Sequence, residues 1–169
     1  TLLIVYKATT DKATIFAPTN HSYFNLGGHN SGDVGANILT INANQVTLKD
    51  AHNCPDGSYA DVVGTIFDFK NGAPVNQALV LTHPQTMNCK GIDQNFCVNS
   101  TGDYIQVASL KDHRSSRVME VLTDMPGLQI YAGNHLGGND QKGDIPYEPY
   151  GAICLEAQMY PNAINVPAF

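Results

Sequence analysis

Apolar and polar residues alternate in short runs along most of this chain, and many of the apolar residues are β-branched or aromatic. A period of two is typical of a strand with one buried face. Strands are therefore predicted at residues 2–8, 13–16, 38–48, 64–69, 104–110, 117–123, 128–131 and 152–158. Turn-forming pairs such as Asp56-Gly57 separate these runs, and no stretch of ten residues shows a helical period. The pattern predicts an all-β fold, a sandwich or a barrel.

Two longer stretches, 27–36 and 134–148, are rich in Gly, Asn and Asp and are predicted to be loops. Long loops on a β scaffold are often functional, although they can also be plain surface. The 169 residues show no internal repeat and no low-complexity linker, so residues 1–169 are predicted to form a single β-sandwich domain or a fragment of one. The first residue is Thr1, and an apolar run follows at once, which favours a fragment or a processed piece of a chain.

Composition narrows the classes of partner. Hydrophobic residues make up 43% of the chain and charged residues 14%, which indicates an ordered globular protein. The formal net charge is −6 and no Lys/Arg cluster occurs, so nucleic acid and anionic membrane surfaces are poor candidate partners. No apolar run is long enough for a membrane-spanning helix.

The four cysteines show no C-x-x-C pair and no ligand spacing with the six histidines, so no structural zinc site is predicted. Cys97 and Cys154 lie in apolar runs, where a buried free thiol is favoured over a disulfide or a nucleophile. Asn99-Ser100-Thr101 matches a glycosylation acceptor pattern, which leaves an extracellular location open.

His21 is the first candidate for chemistry, in a segment at 19–28 that combines aromatic and hydrogen-bonding residues. A histidine titrates near neutral pH and can donate a proton under physiological conditions. The alternative is a buried structural histidine that is hydrogen-bonded to the backbone. The other five histidines lie in polar, turn-rich surroundings and are predicted to be solvated: His29, His52, His83, His113 and His135.

Glu156 is the second candidate, because it lies inside the apolar run 152–157. Burial of an unpaired charge is costly, so such a carboxylate is expected to be paired, protonated or functional. Desolvation would raise its pKa and make it a stronger base. A solvent-facing position on the same strand remains the alternative.

Asp93 and Gln129 are weaker candidates. Asp93 comes just before a further predicted strand, the one that contains Cys97, and can equally stabilise a turn. Gln129 alternates with apolar neighbours and can equally lie at the surface.

Several blocks together resemble the aldose 1-epimerase (galactose mutarotase) family. They are 19–28, 64–68, 91–96, 126–134 and 154–169, the last with Tyr160-Pro161-Asn162-Ala163. Their order across the whole chain is more specific than any single block. The resemblance covers the middle and later part of a family domain of about twice this length.

The resemblance implies a large antiparallel β-sandwich of galactose mutarotase type that interconverts the α and β anomers of free hexoses such as galactose and glucose. His21 matches the general acid, and Glu156 matches the general base. The positions that line or hold the sugar are Ser22, Tyr23, Phe24, Asp93 and Gln129. The resemblance implies no metal and no organic cofactor, and the cytoplasm as the compartment.

Two departures from the family pattern bear on function. The family usually carries a histidine where this chain has Gln94. The family's upstream segment, with a further sugar-binding histidine and an arginine, has no counterpart, nor do the closing strands. We expect that missing part to come from another chain, to lie outside this sequence, or to leave the polypeptide inactive.

Three functions therefore remain open. The first is epimerisation of a neutral hexose, because the nine Lys and Arg residues are too scattered to form a phosphate pocket. The second is a non-catalytic carbohydrate-binding module on the same scaffold. The third is a glycosidase in which Asp93 and Glu156 form a carboxylate pair.

Overall fold

The alternating segments pair as antiparallel strands in the computed structural model, which describes residues 1–100 and 102–169. Thr101, and with it part of the predicted glycosylation pattern, lies outside the described residues. The strands are β1 (Ile38–Ile41), β2 (Ala43–Lys49), β3 (Pro55–Asp61), β4 (Ala73–Pro74), β5 (Asp93–Val98), β6 (Ile105–Lys111), β7 (Val118–Thr123), β8 (Gly127–Tyr131), β9 (Gln141–Lys142), β10 (Ile145–Pro146) and β11 (Cys154–Gln158). One short 3-10 helix, Val75–Ala78, follows β4.

Two sheets organise these strands. The larger has the order β11-β8-β5-β2-β3, and the smaller has the order β4-β1-β6-β7. Strands β9 and β10 form a small separate hairpin within the predicted loop 134–148. Loop 27–36 contains no strand, as predicted.

A single apolar core joins the two sheets. Leu39 of β1 and Leu110 of β6 come from the smaller sheet, and Phe96 of β5 and Ile130 of β8 come from the larger. All four are fully buried. Burial of one such side chain stabilises the fold by roughly 1.5–3 kcal/mol, so period-two alternation specifies which face of each strand packs inward.

Four predicted strands agree closely with β6, β7, β8 and β11. The predicted strand 38–48 is interrupted at Asn42, so that its two halves enter different sheets as β1 and β2. The prediction of an all-β fold is confirmed, with Val75–Ala78 as its short helical exception.

The strands predicted at 2–8 and 13–16 are wrong. These residues have no regular structure, and side chains such as Leu2, Val5 and Ile15 are 62–71% exposed. β-Propensity alone does not hold a strand, because its backbone groups need a neighbouring strand. Among the described residues, no strand pairs with either segment.

The strand predicted at 64–69 is also wrong, because this segment folds as consecutive turns. The Thr65 hydroxyl donates a hydrogen bond to the Val62 carbonyl at 2.7 Å, which closes the first turn. Phe67 and Phe69 are nevertheless buried. The apolar positions in this segment alternate because two phenylalanine rings are buried, and the backbone is not extended.

Strand β3 was not predicted, because its sequence Pro-Asp-Gly-Ser-Tyr-Ala-Asp has the composition of a turn. It lies at the edge of the larger sheet and pairs with β2. An edge strand tolerates Pro and Gly, since one side of its backbone faces solvent. Within the residues that the structure describes, no helix is long and apolar enough to cross a membrane.

Candidate active site

Cross-strand register brings the polar candidates together on the face of the larger sheet that lies opposite the core. Glu156 on β11 lies directly across from Gln129 on β8. Cys154 on β11 lies across from Tyr131, which in turn lies across from Asp93 on β5. Because side chains alternate along a strand, residues two apart share a face. The residues that alternate with them on β8 and β11 belong to the core: Leu128, Ile130 and Leu155.

His21 reaches this face through a short stretch of backbone pairing. The Phe24 amide donates to the Ile153 carbonyl at 2.8 Å, and the Ile153 amide donates to the Phe24 carbonyl at 2.9 Å. The Thr19 hydroxyl donates to the Ala157 carbonyl at 3.0 Å. These bonds on either side of His21 hold segment 19–24 against β11.

The imidazole of His21 lies between a thiol and a carboxylate. Its Nε2 is 3.4 Å from Oε1 of Glu156, and its Nδ1 is 3.4 Å from Sγ of Cys154. The His21 side chain is 49% exposed, whereas that of Glu156 is 6% exposed. The pair therefore combines a buried carboxylate with an imidazole that solvent can reach.

Burial raises the pKa of the Glu156 carboxyl above its ordinary value. The imidazole of His21 opposes this effect, and the charge of Asp93 adds to it. A raised pKa makes the ionised carboxylate a stronger base than a solvated glutamate. Burial also raises the pKa of Cys154 to about 12, so its sulfur faces His21 as a neutral thiol at neutral pH.

Two tyrosines form an aromatic wall beside His21. The ring centroids of Tyr23 and Tyr131 lie 5.1 and 5.9 Å from that of His21. Burial raises the pKa of both phenols above the ordinary value, so they remain neutral hydrogen-bonding groups. The Tyr131 hydroxyl accepts a hydrogen bond from the His135 amide at 3.1 Å.

The cleft also contains amide groups with free hydrogen-bonding capacity. Gln129 Nε2 donates to Asp93 Oδ1 at 2.6 Å. Among the described residues, Oε1 of Gln129 and Nε2 of Gln158 have no hydrogen-bond partner although they are buried. Both amides belong to side chains that line the cleft.

The resulting cleft has a volume of about 440 Å³. It is lined by His21, Tyr23, Asp93, Gln129, Tyr131, His135, Glu156, Gln158 and Pro161. Five of the residues predicted from the sequence thus meet in one place. Ser22 and Phe24 do not line this cleft; Phe24 lines a neighbouring cavity of about 620 Å³, so their predicted sugar contacts stay predictions.

Sequence reasoning missed several lining residues. Tyr131 and Gln158 lie two positions beyond Gln129 and Glu156, so strand alternation itself was the signal that could have found them. His135, predicted to be merely solvated, is exposed at the edge of the cleft. Gln94, the departure from the family pattern, is fully buried and donates to the Thr47 carbonyl.

Several known proteins resemble this chain in sequence. A family model described as Aldose 1-epimerase matches residues 1–169. Human galactose mutarotase is 36% identical over 169 residues, which cover 99% of this chain and 48% of that protein. Aldose 1-epimerase of Escherichia coli (strain K12) is 34% identical, over 97% of this chain and 47% of that protein.

A crystal structure of galactose 1-epimerase from Lactobacillus acidophilus NCFM superposes with a TM-score of 0.74 at 34% identity. The match covers 89% of this chain and 42% of that one. This likeness confirms the predicted antiparallel β-sandwich of galactose mutarotase type. The chain spans about half the length of the human relative. Because the family model matches along the whole sequence, the chain belongs to the aldose 1-epimerase family.

Proposed function

We propose that this chain carries the acid and base of an aldose 1-epimerase that interconverts the anomers of free hexoses such as galactose and glucose. The observation that carries the proposal is the 3.4 Å approach of His21 Nε2 to Glu156 Oε1 inside a polar cleft. Mutarotation needs one group that gives a proton and one that takes a proton, and the pair supplies both. The relatives named galactose mutarotase and aldose 1-epimerase support the same reaction.

In the forward step, Glu156 removes the proton from the anomeric hydroxyl while His21 protonates the ring oxygen. The bond between C1 and the ring oxygen breaks, its electron pair goes to that oxygen, and C1 becomes an aldehyde carbon. After rotation about the C1–C2 bond, the ring oxygen attacks the other face of the aldehyde. His21 and Glu156 then regain their original protonation states.

Burial of Glu156 favours its part in this sequence. A desolvated carboxylate with a raised pKa takes a proton more readily than a solvated one. A positioned acid or base typically accelerates a reaction by roughly 10²- to 10⁴-fold. The half-exposed imidazole of His21 can be reached from the cleft, where a sugar can contact it.

The remaining cleft groups suit a neutral, polyhydroxylated ligand. The Gln129 and Gln158 side chains line the cleft with amide groups, which can donate and accept hydrogen bonds. Tyr23 and Tyr131 offer aromatic faces and neutral hydroxyls. Among the residues that the structure describes, neither lysine nor arginine lines the cleft, so a phosphorylated sugar lacks a cationic partner there.

The test is polarimetry on freshly dissolved α-D-galactose. We expect the complete protein to accelerate the drift to equilibrium, and Glu156→Gln to remove nearly all of that acceleration. Glu120→Gln is the matched control, because Glu120 is exposed on β7 of the other sheet. An unchanged rate in Glu156→Gln would show that the base is misassigned.

Two further assays, galactose binding by calorimetry and reducing-end release from an oligosaccharide, separate the alternative functions. Saturable galactose binding without any acceleration would identify a carbohydrate-binding module. Release of a new reducing end from an oligosaccharide would identify a glycosidase. The hydrogen bond from Gln129 to Asp93, and the contact of Glu156 with an imidazole, favour epimerisation over a two-carboxylate glycosidase.

A further inference from the structure

Three different metal-ligand types converge at the base of the cleft. Cys154 and Glu156 are two residues apart on β11 and therefore share one face of the strand. His21 is held over that face by the backbone pairing of Phe24 with Ile153. One ligand atom from each of His21, Cys154 and Glu156 lies within 4.8 Å of the other two. We propose that these residues form a zinc-binding site that inhibits the enzyme.

The spacing of His21 and Glu156 suits tetrahedral coordination. Zn–N bonds of about 2.0–2.1 Å and Zn–O bonds of about 2.0–2.2 Å place the two ligand atoms about 3.4 Å apart. Nε2 of His21 and Oε1 of Glu156 are 3.4 Å apart. A Zn–S bond of about 2.3 Å similarly requires about 3.6 Å between sulfur and nitrogen. Sγ of Cys154 is 3.4 Å from Nδ1 of His21, which is the other ring nitrogen, so this distance does not yet describe a ligand pair of the same ion.

The imidazole of His21 must rotate before the three ligands can bind one metal ion. A metal ion takes only one ring nitrogen, so the imidazole must turn until the same nitrogen faces both the thiol and the carboxylate. Cys154 and Glu156 are buried on a paired strand, whereas the His21 side chain is half exposed. The more exposed ligand is thus the one that adjusts.

The chemical types of the three ligand atoms determine which class of metal ion the site prefers. Sulfur and imidazole ligands favour Zn²⁺ and similar transition metals over Mg²⁺ and Ca²⁺, which prefer oxygen. On binding, the Cys154 thiol releases its proton to solvent and coordinates as the thiolate. The half-exposed His21 leaves the cleft side open for a fourth ligand, a water molecule or a sugar hydroxyl.

Coordination would block catalysis, because the metal takes the lone pairs that His21 and Glu156 use for proton transfer. This inhibitory consequence rests on the proposed function. Binding of the ion itself does not, because it depends only on the three ligands. The two parts of the proposal can therefore fail separately.

Cobalt substitution tests the binding directly. Titration of the metal-free protein with Co²⁺ should give a cobalt–thiolate charge-transfer band at a stoichiometry of one ion per chain. The band should be lost in Cys154→Ser, and Zn²⁺ affinity measured by calorimetry should fall at least tenfold. Cys97→Ser is the matched control, because Cys97 lies on β5 of the same sheet and should leave the band unchanged.

A second variant keeps the site testable if Cys154→Ser fails to fold. His21→Gln changes a half-exposed side chain, and it should also weaken Zn²⁺ binding at least tenfold. A charge-transfer band that persists in Cys154→Ser, the absence of the band from the unaltered protein, or unchanged affinity in His21→Gln would overturn the site.

Polarimetry then tests inhibition. Zn²⁺ should suppress mutarotation in the unaltered protein and in Cys97→Ser, and a chelator should restore it. If the cobalt band appears while bound Zn²⁺ leaves mutarotation unaffected, the metal site stands and the catalytic roles of His21 and Glu156 fall. If mutarotation is normal and no band appears, the metal site falls and the proposed function stands.

Discussion

Replacement of Glu156 by glutamine should separate catalysis from stability. The amide keeps the shape of the side chain but cannot accept the anomeric proton, so the rate should fall by roughly 10²- to 10⁴-fold. The same change removes a charge from a side chain that is only 6% exposed. We therefore expect the variant to be inactive and yet more stable than the original protein at neutral pH.

The direction of the stability change follows from the pKa of Glu156. Burial raises this pKa above the ordinary value of 4.5, so the folded protein binds the proton more tightly than the unfolded chain does. The contribution of Glu156 to stability is thus greatest below pH 4.5 and is lost as the pH rises through the folded pKa. The advantage of Glu156→Gln should grow over the same range.

Glu156→Asp tests how strongly the rate depends on the position of the carboxylate. Shortening by one methylene withdraws the carboxylate by about 1.5 Å. From the present 3.4 Å, the separation from His21 Nε2 would increase to about 4.9 Å, beyond hydrogen-bond reach. A misplacement of about 1 Å costs about 10²-fold in rate, so this variant should be impaired although it remains charged.

The assays are polarimetry for the rate and urea unfolding at several pH values for stability, with Glu120→Gln as control. The reasoning is refuted if Glu156→Gln keeps the full rate. The electrostatic part is refuted if Glu156→Gln is less stable than the original protein at neutral pH and the difference does not vary with pH.

Three further predictions concern the core, a turn and the cleft. Phe96→Ala should lower the free energy of unfolding by about 3–5 kcal/mol in urea titrations, because this ring is fully buried between the sheets. Asp112→Asn should destabilise the protein at neutral pH, because hydrogen bonds from Ser115 hold the pKa of Asp112 at about 2. The difference in stability between this variant and the original protein should vanish as the pH falls from 3.8 towards 2, measured by urea unfolding. Gln129→Ala should weaken galactose binding about tenfold in calorimetry, since it removes one polar contact and leaves Asp93 without its amide donor.

Matched controls accompany these three changes. Val118→Ala, at a 57% exposed position, should change the free energy of unfolding by less than about 0.5 kcal/mol. Asp124→Asn and Gln106→Ala change exposed residues and should show neither the pH effect nor the loss of binding. Equal effects in a variant and its control would contradict the corresponding prediction.

The sequence predicted the strands best where one face of the strand is buried. Alternation placed β6, β7, β8 and β11 within two residues of their observed bounds. It failed at residues 64–69, where two buried rings lie on turns, and at the polar edge strand β3. Alternation reports burial, and burial does not always require an extended backbone.

The candidate site was predicted in part for a similar reason. His21 and Glu156 were identifiable from their chemistry within apolar runs and from the family resemblance. Tyr131 and Gln158 were missed: strand alternation places them on the same face as Gln129 and Glu156, but a tyrosine or glutamine on a strand is equally common at a surface. Only the neighbouring strands show that both face the cleft.

By itself, the sequence determined which strand positions are apolar and which chemical groups are available. The tertiary structure alone decided that an imidazole near one end of the chain meets a carboxylate near the other. That meeting depends on the register of β11 with β8 and on the backbone bonds between Phe24 and Ile153. Such bonds join residues far apart in the chain, so no local pattern of side chains encodes them.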